Sequence, residues 1–566
     1  MTAVAPQEEK KSSWKSSIFT TGNLLAGISV GAYFIPQAMA YGALAGIDVA
    51  DGLAVAAVPV LVYMILGRSK YMSVGPESAV ALMAAAAVGP TAASLGVDPL
   101  TALSVTSILV GAILAVGWLL KASFLADLLS KPILVGYLTG VAILMALSQL
   151  PKVVNDYDLE TEPIGALLQN DWQLPDFQTV AIAIVVLAVS LLCRRINPRL
   201  PGPLIGLILA ILMGLIWPEV PKVGEVVLQL PTPQLSGLSL ELCAALFVPA
   251  LSIAIVSFTD VMVTSRAFAD GQPPDPASEM RAMAAVQGVT GVVGGYPMSA
   301  SSSRTALAAA SGATSKLYSL IVVAVLILGP LLIPGVIAAI PDAGLAGVIL
   351  YAAYTLIDPV EWGQLARFRK RETAIAVICA LCVVVFGILP GVIIAIVLSI
   401  GEFMARLARP HEGVLGYVPE MAGMHDIDDW DSTKTIPGLV VFRYDAPLFF
   451  MNAYDFYGKV QAVTPEGTKV VILNMEANVE LDSTALSTLE DLHDALDEQG
   501  TELWLARVKR DVLIPMVKHG VAEVIGKDNM YPTLPTAVAA YEETFGEEDP
   551  AASAADSSES PGDSDD

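Results

Sequence analysis

The chain of 566 residues is 54% hydrophobic and only 15% charged, with a mean hydropathy of +0.63. Soluble globular proteins carry about 25% charged residues, so this composition excludes an ordinary soluble protein and predicts one embedded in lipid. Most of the net charge of −25 comes from residues 411–566, where 31 acids outnumber 9 Lys or Arg, so it does not indicate the charge of a ligand bound within the membrane.

The N-terminal residues 1–17 are polar and include Lys10, Lys11 and Lys15, and no short apolar segment with a small-residue cleavage site follows them. This pattern predicts a retained cytoplasmic tail. Residues 18–409 are predicted to form an α-helical polytopic membrane domain, because runs of about 20 mostly apolar residues recur there about fourteen times. The runs lie near residues 20–46, 50–67, 74–92, 100–120, 124–150, 177–193, 201–217, 242–268, 280–296, 299–313, 316–336, 337–357, 372–388 and 389–408.

Basic residues fall at alternate connections between these runs, which predicts that those connections are cytoplasmic. The intervening loop of residues 156–176 carries six acids and no Lys or Arg. An even number of crossings places both termini in the cytoplasm, and we expect a multi-pass protein of the inner or plasma membrane. The basic residues at these connections are Arg68, Lys70, Lys121, Arg194, Arg195, Arg199, Arg266, Arg281, Lys316, Arg367, Arg369, Lys370, Arg371, Arg406 and Arg409.

The sequence changes character after Arg409. Three segments, GLVVFRYDAPLFFMNA, KVVILNMEANVELDSTAL and GTELWLARVKRDVL, contain short buried strands, and DSTALSTLEDLHDALDEQG and RDVLIPMVKHGVAEVIG have the apolar spacing of amphipathic helices. Alternating strands and helices predict a small cytoplasmic α/β domain over residues 410–546. Residues 547–566 contain Ser, Ala and acids without an aromatic residue, so we expect a disordered acidic tail.

A weak internal repeat links the two halves of the membrane domain. The segment that begins at Tyr71 resembles the one that begins at Tyr296, 225 residues later, and the match pairs Ser78 with Ser303. At an offset of 223, Gln37 matches Asp260 and Tyr41 matches Thr264. Seven predicted spans separate the copies, and this odd number predicts a seven-plus-seven repeat inverted across the membrane.

Both repeat segments begin with Gly, Pro and Ser residues and continue as short Ala-rich helices. A helix that begins within the membrane leaves backbone N–H groups unpaired and carries roughly half a positive charge at that end. Two such ends facing each other, near Gly75 and Ala300, would bind an anion between them. The alternative is that these small residues only permit close helix packing.

Three ionisable residues lie well inside the predicted spans, where a charge costs about 2.5–3.5 kcal/mol on insertion scales. Arg304 offers a planar set of donors suited to an oxyanion, or it neutralises Glu77 or Asp260 through a salt bridge. Asp260 and Thr264, four residues apart, could hold a sodium ion, or the carboxylate could carry a proton. Gln37 and Tyr41 have the same spacing and could donate hydrogen bonds to a substrate.

The segments IPQAMAYGALAG (35–46), SVGPESA (73–79), FTDVMVTSRAFA (258–269), SSSRTAL (301–307) and LDSTAL (481–486) resemble the SulP anion transporter family. That family includes sulfate permeases, bicarbonate and C4-dicarboxylate transporters and the motor protein prestin. The resemblance implies core and gate domains, a C-terminal STAS domain, a homodimer and elevator-type alternating access.

By position, Gln37 and Tyr41 match substrate-contacting residues of plant sulfate members, and Ser303 and Arg304 match the pair that holds sulfate there. Asp260 falls where those proteins have a proton-coupling glutamate and where cyanobacterial bicarbonate members have a sodium-binding aspartate. The resemblance also places Ser483 at the position phosphorylated in bacterial anti-anti-sigma STAS proteins. We expect this serine to cap a helix N-terminus instead, because a serine after Leu-Asp at the end of a strand is a good N-cap.

We therefore predict secondary active transport of a small inorganic oxyanion, sulfate first, by symport with H⁺ or Na⁺. The alternatives are a bicarbonate or C4-dicarboxylate transporter, an anion channel or exchanger, or a tethered signalling scaffold acting through the STAS domain. The sequence contains no P-loop motif. We expect no enzymatic activity, no cofactor and no nucleic-acid partner. We do expect cytoplasmic proteins that bind the STAS domain. The predicted substrate-binding residues are Gln37, Tyr41, Glu77, Ser78, Ser302, Ser303 and Arg304, and the predicted cation-coupling residues are Asp260 and Thr264.

Overall fold

The computed structural model describes residues 20–127, 130–154, 176–197, 200–224, 239–269 and 273–545. The chain divides into two compact units, Met1–Ser399 and Ile400–Asp566. The first is helical and the second contains a mixed sheet with helices, so the predicted fold class is confirmed. The predicted tails, residues 1–17 and 547–566, and nearly all of the acidic loop lie outside the described residues.

Most helices between residues 21 and 408 coincide with the predicted apolar runs, but Leu150–Val154 and Pro359–Phe368 lie outside them. The helices are α1 (Thr21–Leu44), α2 (Val49–Val55), α3 (Ala57–Leu66), α4 (Ser78–Leu95), α5 (Pro99–Leu119), α6 (Lys131–Ser148), α7 (Leu150–Val154), α8 (Phe177–Ile196), α9 (Gly202–Ile216), α10 (Leu240–Ala267), α11 (Pro276–Val292), α12 (Ser302–Ala310), α13 (Tyr318–Leu332), α14 (Pro334–Ala338), α15 (Asp342–Leu356), α16 (Pro359–Phe368), α17 (Lys370–Phe386) and α18 (Ile388–Ala408). Two short strands, β1 (Val74–Gly75) and β2 (Ser299–Ala300), precede α4 and α12.

Eight helical segments among the described residues are long and apolar enough to cross a membrane, and Gly202–Ile216 and Tyr318–Leu332 are shorter apolar helices. The predicted total of fourteen crossings therefore stays a prediction. The run of residues 299–313 forms only the nine-residue helix α12. At about 1.5 Å per residue, this helix spans roughly half of a hydrocarbon layer about 30 Å thick.

The helices form two packed groups. The core group contains α1–α5 and α10–α14, with α5 against α10 and α11 and α1 against α13. The gate group contains α6, α8, α9, α15 and α17, with α6 against α17 and α8 against α9 and α15. Small residues allow the closest approaches: a Cβ at Gly111 of α5 would lie 2.7 Å from the backbone nitrogen of Gly288 in α11. Such contacts replace the hydrophobic driving force that lipid does not supply.

The two repeat copies meet in an antiparallel strand pair. Val74 pairs with Ala300 and Gly75 pairs with Ser299. Adding the repeat offset of 225 residues to Val74 and Gly75 gives Ser299 and Ala300, so a two-fold rotation exchanges the two pairs. The repeat axis therefore passes through this strand pair, and α4 and α12 leave it in opposite directions, as an inverted repeat requires.

One residue breaks the symmetry of this junction. The Ser301 N–H donates to the carbonyl of Ser73 at 3.0 Å, but Pro76, the counterpart of Ser301, has no N–H to donate to the carbonyl of Met298. The buried side chain of Gln287 replaces that bond: its Nε2 donates to the Met298 carbonyl at 2.6 Å, and its Oε1 accepts from the Met298 N–H at 3.0 Å.

Replacement of Gln287 by leucine is expected to destabilise the membrane domain. It leaves two buried backbone groups of Met298 without partners, at a cost of about 1–3 kcal/mol each. Thermal unfolding of the detergent-purified protein measures the loss. Gln178→Leu, at the partly exposed start of α8, is the matched control, and an equal shift in both variants would contradict the assigned role.

The second unit contains a six-stranded sheet in the order β4-β3-β5-β6-β7-β8, in which β3 runs antiparallel to β4 and β5 and the other pairs are parallel. Alternate residues of the central strands face opposite sides. Val440, Phe442 and Val471 pack under the helices that follow β5, β6 and β7, whereas Val441 and Ile472 pack under the last helix. The elements are β3 (Glu412–Tyr417), β4 (Met424–Asp426), β5 (Leu439–Tyr444), α19 (Ala453–Val463), β6 (Val470–Asn474), α20 (Ser483–Asp497), β7 (Glu502–Ala506), α21 (Arg510–His519), α22 (Val521–Ile525), β8 (Met530–Tyr531) and α23 (Leu534–Phe545).

Two local predictions for this unit were wrong. The segment expected to be one helix is divided into α21 and α22, because Gly520 adopts a φ of 99° that ends the first helix. Ser483 is not the N-cap of α20. That position belongs to Asp482, whose Oδ1 accepts from the Ala485 N–H at 2.8 Å, while its Oδ2 accepts from the Phe450 N–H at 2.8 Å.

Replacement of Asp482 by alanine is expected to destabilise the α/β unit by about 1–2 kcal/mol, because both backbone donors lose their acceptor. Urea unfolding of residues 410–546, followed by tryptophan fluorescence, measures the change. The control Ser483→Ala, at the exposed neighbouring position, is expected to stay within about 0.5 kcal/mol of the wild type. The reverse order of effects would restore Ser483 as the cap.

Candidate functional site

The first turn of α12 has unpaired backbone donors. Its N-cap is Ser301, whose hydroxyl accepts from the Arg304 N–H at 3.4 Å. The N–H groups of Ser302 and Ser303 have no protein partner among the described residues, as expected for the first positions of a helix. This helix end therefore presents two backbone donors and a partial positive charge to whatever lies before it.

The first turn of α4 is different, because Glu77 is its N-cap. Glu77 Oε2 accepts from the N–H groups of Ala79 at 2.9 Å and Val80 at 3.2 Å, and Oε1 accepts from the Ser78 hydroxyl at 2.8 Å. The two helix ends therefore meet as predicted, but a carboxylate of the chain itself already occupies the first. The helix α4 is also longer than expected, with 18 residues against nine in α12.

One face of α1 points at both helix ends. Tyr33, Gln37 and Tyr41 are spaced four residues apart and line the same cavity. The phenol of Tyr33 reaches Ser303 in α12, and the phenol of Tyr41 reaches Ser78 in α4. The face supplies hydroxyl and amide groups between the two helix ends.

Arg304 is fully buried behind this face. Its Nε donates to the Ser73 hydroxyl at 3.2 Å, and its Nη1 donates to Gln37 Oε1 and to the Pro76 carbonyl, both at 2.9 Å. The guanidinium also lies 4.0 Å from the centre of the Phe34 ring, a cation–π distance. Because Ser73 and Pro76 belong to the first repeat, Arg304 connects the two repeats across their junction.

These contacts determine how Gln37 faces the cavity. Because its Oε1 accepts from Arg304, its Nε2 carries the two remaining donors of the amide. Arg304 Nη2 is buried with no hydrogen-bond partner among the described residues, and no carboxylate there pairs with the guanidinium. The alternative of a salt bridge from Arg304 to Glu77 or Asp260 is therefore wrong for this conformation.

A cavity of about 590 Å³ lies in front of these groups, between the core and gate groups. Its core wall contains eight of the nine predicted site residues, all except Arg304. Its gate wall is mostly apolar and includes Leu134, Val135, Leu138 and Val348. The lining extends to the exposed residues Arg194, Leu200 and Asp358, which mark its open end. The eight predicted residues in the wall are Gln37, Tyr41, Glu77, Ser78, Asp260, Thr264, Ser302 and Ser303.

Asp260 and Thr264 lie on α10, beside α12. Asp260 Oδ2 accepts a long bond of 3.4 Å from the Ser299 hydroxyl, and the Thr264 hydroxyl is hydrogen-bonded to that of Ser302 at 2.9 Å. No group of three His, Cys, Asp or Glu suited to a metal ion occurs in the part of the chain that the structure describes. The two predicted coupling residues are thus adjacent to the anion-facing turn of α12.

The sequence reasoning missed three groups of this site. Tyr33 could have been found, because it precedes Gln37 by one helical turn on the same face. Phe34 and Ser73 had no comparable signal: Phe34 looks like any apolar residue of a span, and only the fold brings both to Arg304. The gate wall residues likewise became visible only in three dimensions.

The fold and this cavity define a multi-pass helical membrane protein of the transporter class, with a solute-sized cavity between its core and gate groups. The chain belongs to the sulfate permease family, whose model matches residues 20–379, and a STAS domain model matches residues 432–537. The family and domain predicted from the sequence motifs are confirmed.

Named relatives cover nearly the whole chain. A protein of Mycobacterium tuberculosis (strain H37Rv) named as a probable sulfate transporter is 41% identical over 537 residues, which cover 92% of this chain and 95% of the relative. The chloroplastic sulfate transporter 4.1 of Arabidopsis thaliana is 26% identical and covers 89% of this chain and 78% of the relative.

Solved structures share the fold. The overall structure of SLC26A9 has a TM-score of 0.82 at 20% identity, covering 95% of this chain and 92% of that one. The transmembrane domain of the cyanobacterial bicarbonate transporter BicA has a TM-score of 0.58 at 18% identity, covering 67% of this chain and 97% of that one. At these identities the likeness concerns the fold alone.

Proposed function

We propose that the protein is a secondary active transporter that takes up sulfate by symport with H⁺. The observation that carries this proposal is the cavity wall in which the free N–H groups of Ser302 and Ser303 lie in front of the buried cation Arg304. Backbone donors at a helix end together with a fixed positive charge are suited to an oxyanion. Sulfate is put first because the relative with 41% identity is named for it.

The anion binds at the α12 end of the junction. The N–H groups of Ser302 and Ser303 and the Nε2 of Gln37 donate to its oxygens, and the hydroxyls of Tyr33 and Tyr41 complete the set. Arg304 contributes its charge and orients Gln37, because its own donors are largely engaged by Gln37, Ser73 and Pro76.

The placement of the cavity supports elevator-type alternating access. The polar groups belong to the core group, whereas Leu134, Leu138 and Val348 give the gate wall an apolar surface with few hydrogen bonds to break. The core can therefore slide past the gate with the anion attached. Because Arg194 marks the open end and lies at a connection predicted to be cytoplasmic, this conformation is the inward-open one.

Coupling belongs to Asp260. The Ser299 hydroxyl donates to the Asp260 carboxylate, and the Thr264 hydroxyl is hydrogen-bonded to Ser302. We favour a proton as the coupled cation because it needs only the carboxylate, whereas a sodium ion needs several oxygen ligands around it. The same proposal includes a homodimer, a cytoplasmic position of both termini and cytoplasmic STAS-binding partners.

Uptake into proteoliposomes tests this function. Labelled sulfate, bicarbonate and fumarate are offered separately, with an imposed proton gradient, an imposed sodium gradient or neither. We expect sulfate to be concentrated only with the proton gradient. Concentration of another anion but not sulfate would contradict the substrate, sodium-driven uptake would contradict the coupling ion, and flux that never concentrates any solute would identify a channel.

A further inference from the structure

The Glu77 carboxylate caps the end of α4 that faces the cavity. It accepts the N–H groups of Ala79 and Val80 and the Ser78 hydroxyl, whereas the corresponding N–H groups of α12, those of Arg304 and Thr305, are bonded to the neutral Ser301. Glu77 also lines the cavity. The first repeat is therefore filled by an anion tethered to the chain, and a dissolved anion meets that charge when it enters.

The charges that act on Glu77 can be counted; Arg194, Asp358 and Glu361 also line the cavity and are outside this count. The groups that interact electrostatically with Glu77 are Arg304 on α12, Asp260 on α10, Tyr41 on α1 and Tyr137 on α6. The tyrosines are neutral, so two ionised carboxylates and one guanidinium leave a net charge of −1. With both carboxyls protonated the net charge is +1, which suits a divalent anion.

Protonation also changes what Glu77 can do as a ligand. An ionised carboxylate only accepts hydrogen bonds, whereas a carboxyl group also donates one. Neutral Glu77 can still cap α4 through Oε2, while a proton on Oε1 makes a donor of the oxygen beside Ser78, a residue that also lines the cavity. The same residue is then a competitor when ionised and an anion ligand when protonated.

We propose that Glu77 is a second proton carrier, so that each sulfate enters with two protons, one on Glu77 and one on Asp260. This rests on the proposed function and extends it to the stoichiometry. The charge of SO₄²⁻ is then balanced, and uptake is independent of membrane potential.

The pH dependence of the sulfate KM tests the proposal in proteoliposomes held without a membrane potential. At a pH where both carboxyls are mostly ionised, we expect the wild-type KM to rise by about 100-fold per pH unit. The KM of Glu77→Gln or of Asp260→Asn is expected to rise by about tenfold per pH unit, and the KM of the double variant hardly at all. Glutamine at position 77 keeps a cap acceptor, so the helix end is preserved. The control is Asp98→Asn, because Asp98 is the N-cap of α5 and lies outside the cavity lining; it keeps the wild-type slope.

Charge movement provides a second readout. Glu77→Gln carries one net negative charge inward with each sulfate, so an inside-negative potential of about 100 mV lowers its accumulation about 50-fold relative to wild type. If Glu77→Gln transports nothing, sulfate binding is measured instead, as the rise in unfolding temperature that sulfate causes at alkaline pH. Sulfate binding tighter than that of the wild type supports the proposal, and equal binding overturns it.

If the KM of Glu77→Gln depends on pH as steeply as the wild-type KM, the inference is overturned. Glu77 is then only a structural cap, while sulfate transport itself stands. A wild type that does not take up sulfate removes the proposed function instead. The two failures are therefore distinguishable in one series.

Discussion

Substitution of Arg304 by alanine is expected to abolish sulfate uptake, with the largest effect of any single change around the cavity. At an assumed separation of roughly 6 Å and an effective dielectric constant of about 20, one positive charge stabilises a divalent anion by on the order of 5 kcal/mol. Loss of this electrostatic stabilisation alone lowers the affinity for sulfate by several orders of magnitude. The Gln37 amide also loses the bond that orients it.

The alanine variant also loses structural contacts. Three hydrogen bonds from a charged donor disappear, each of which is worth about 1.5–3 kcal/mol, together with the contact to Phe34. A lower unfolding temperature is therefore expected, and size-exclusion profiles must accompany the uptake measurement. Arg281→Ala makes the same change of charge on the exposed side of α11, away from the cavity lining, and is expected to transport normally.

Two further variants separate charge from geometry. Arg304→Lys keeps the charge but replaces the planar fork by a single nitrogen, so it cannot serve Ser73, Gln37 and Pro76 together, and we expect a KM at least about tenfold higher. Gln37→Leu keeps Arg304 and removes the amide donor, with a similar rise in KM. Unchanged sulfate uptake in a folded Arg304→Ala protein would remove the site assignment.

Replacement of Asp260 by asparagine is expected to remove one of the two coupled protons while flux down a sulfate gradient persists. Moving a divalent anion against an inside-negative potential of about 100 mV costs roughly 4.6 kcal/mol, and one proton offsets about half of it. Loss of that proton therefore lowers accumulation about 50-fold. Labelled sulfate at steady state, with the potential set by a potassium gradient, measures it.

The Thr264→Val variant distinguishes the two coupling ions. Valine removes the hydroxyl that pairs with Ser302 but leaves the carboxylate of Asp260 unchanged. With proton coupling the pH dependence of Thr264→Val stays that of the wild type, whereas with sodium coupling the sodium requirement rises. Persistence of all ion dependence in Asp260→Asn would show that the coupling role lies elsewhere.

The elements were predictable because their signals are local. Apolar runs identify helices from composition alone, and the offset between Tyr71 and Tyr296 predicted the inverted repeat that the pairing of Val74 with Ala300 then displayed. Gln37, Ser303 and Asp260 were found because the same offsets placed them on matching elements. All three line the cavity.

The contacts of the long side chains could not be predicted in this way. Arg304 and Glu77 were both expected to face the anion, yet Arg304 reaches back to Ser73 and Pro76, and Glu77 turns onto its own helix. Side-chain direction depends on which acceptors and donors the fold brings within a few ångströms, and spacing along the chain does not contain that information.

The sequence by itself determined the membrane class, the positions of the helices, the repeat and most of the cavity wall, because hydrophobic runs and helix-starting residues act over a few neighbouring positions. Only the tertiary structure decided which side chain caps each helix end. The carboxylate of Glu77 accepts from the Ala79 and Val80 N–H groups on α4, whereas the neutral hydroxyl of Ser301 accepts from the Arg304 N–H on α12. The two repeats are alike in backbone but unlike in charge, since hydrogen bonds between distant segments are established only when the chain is folded.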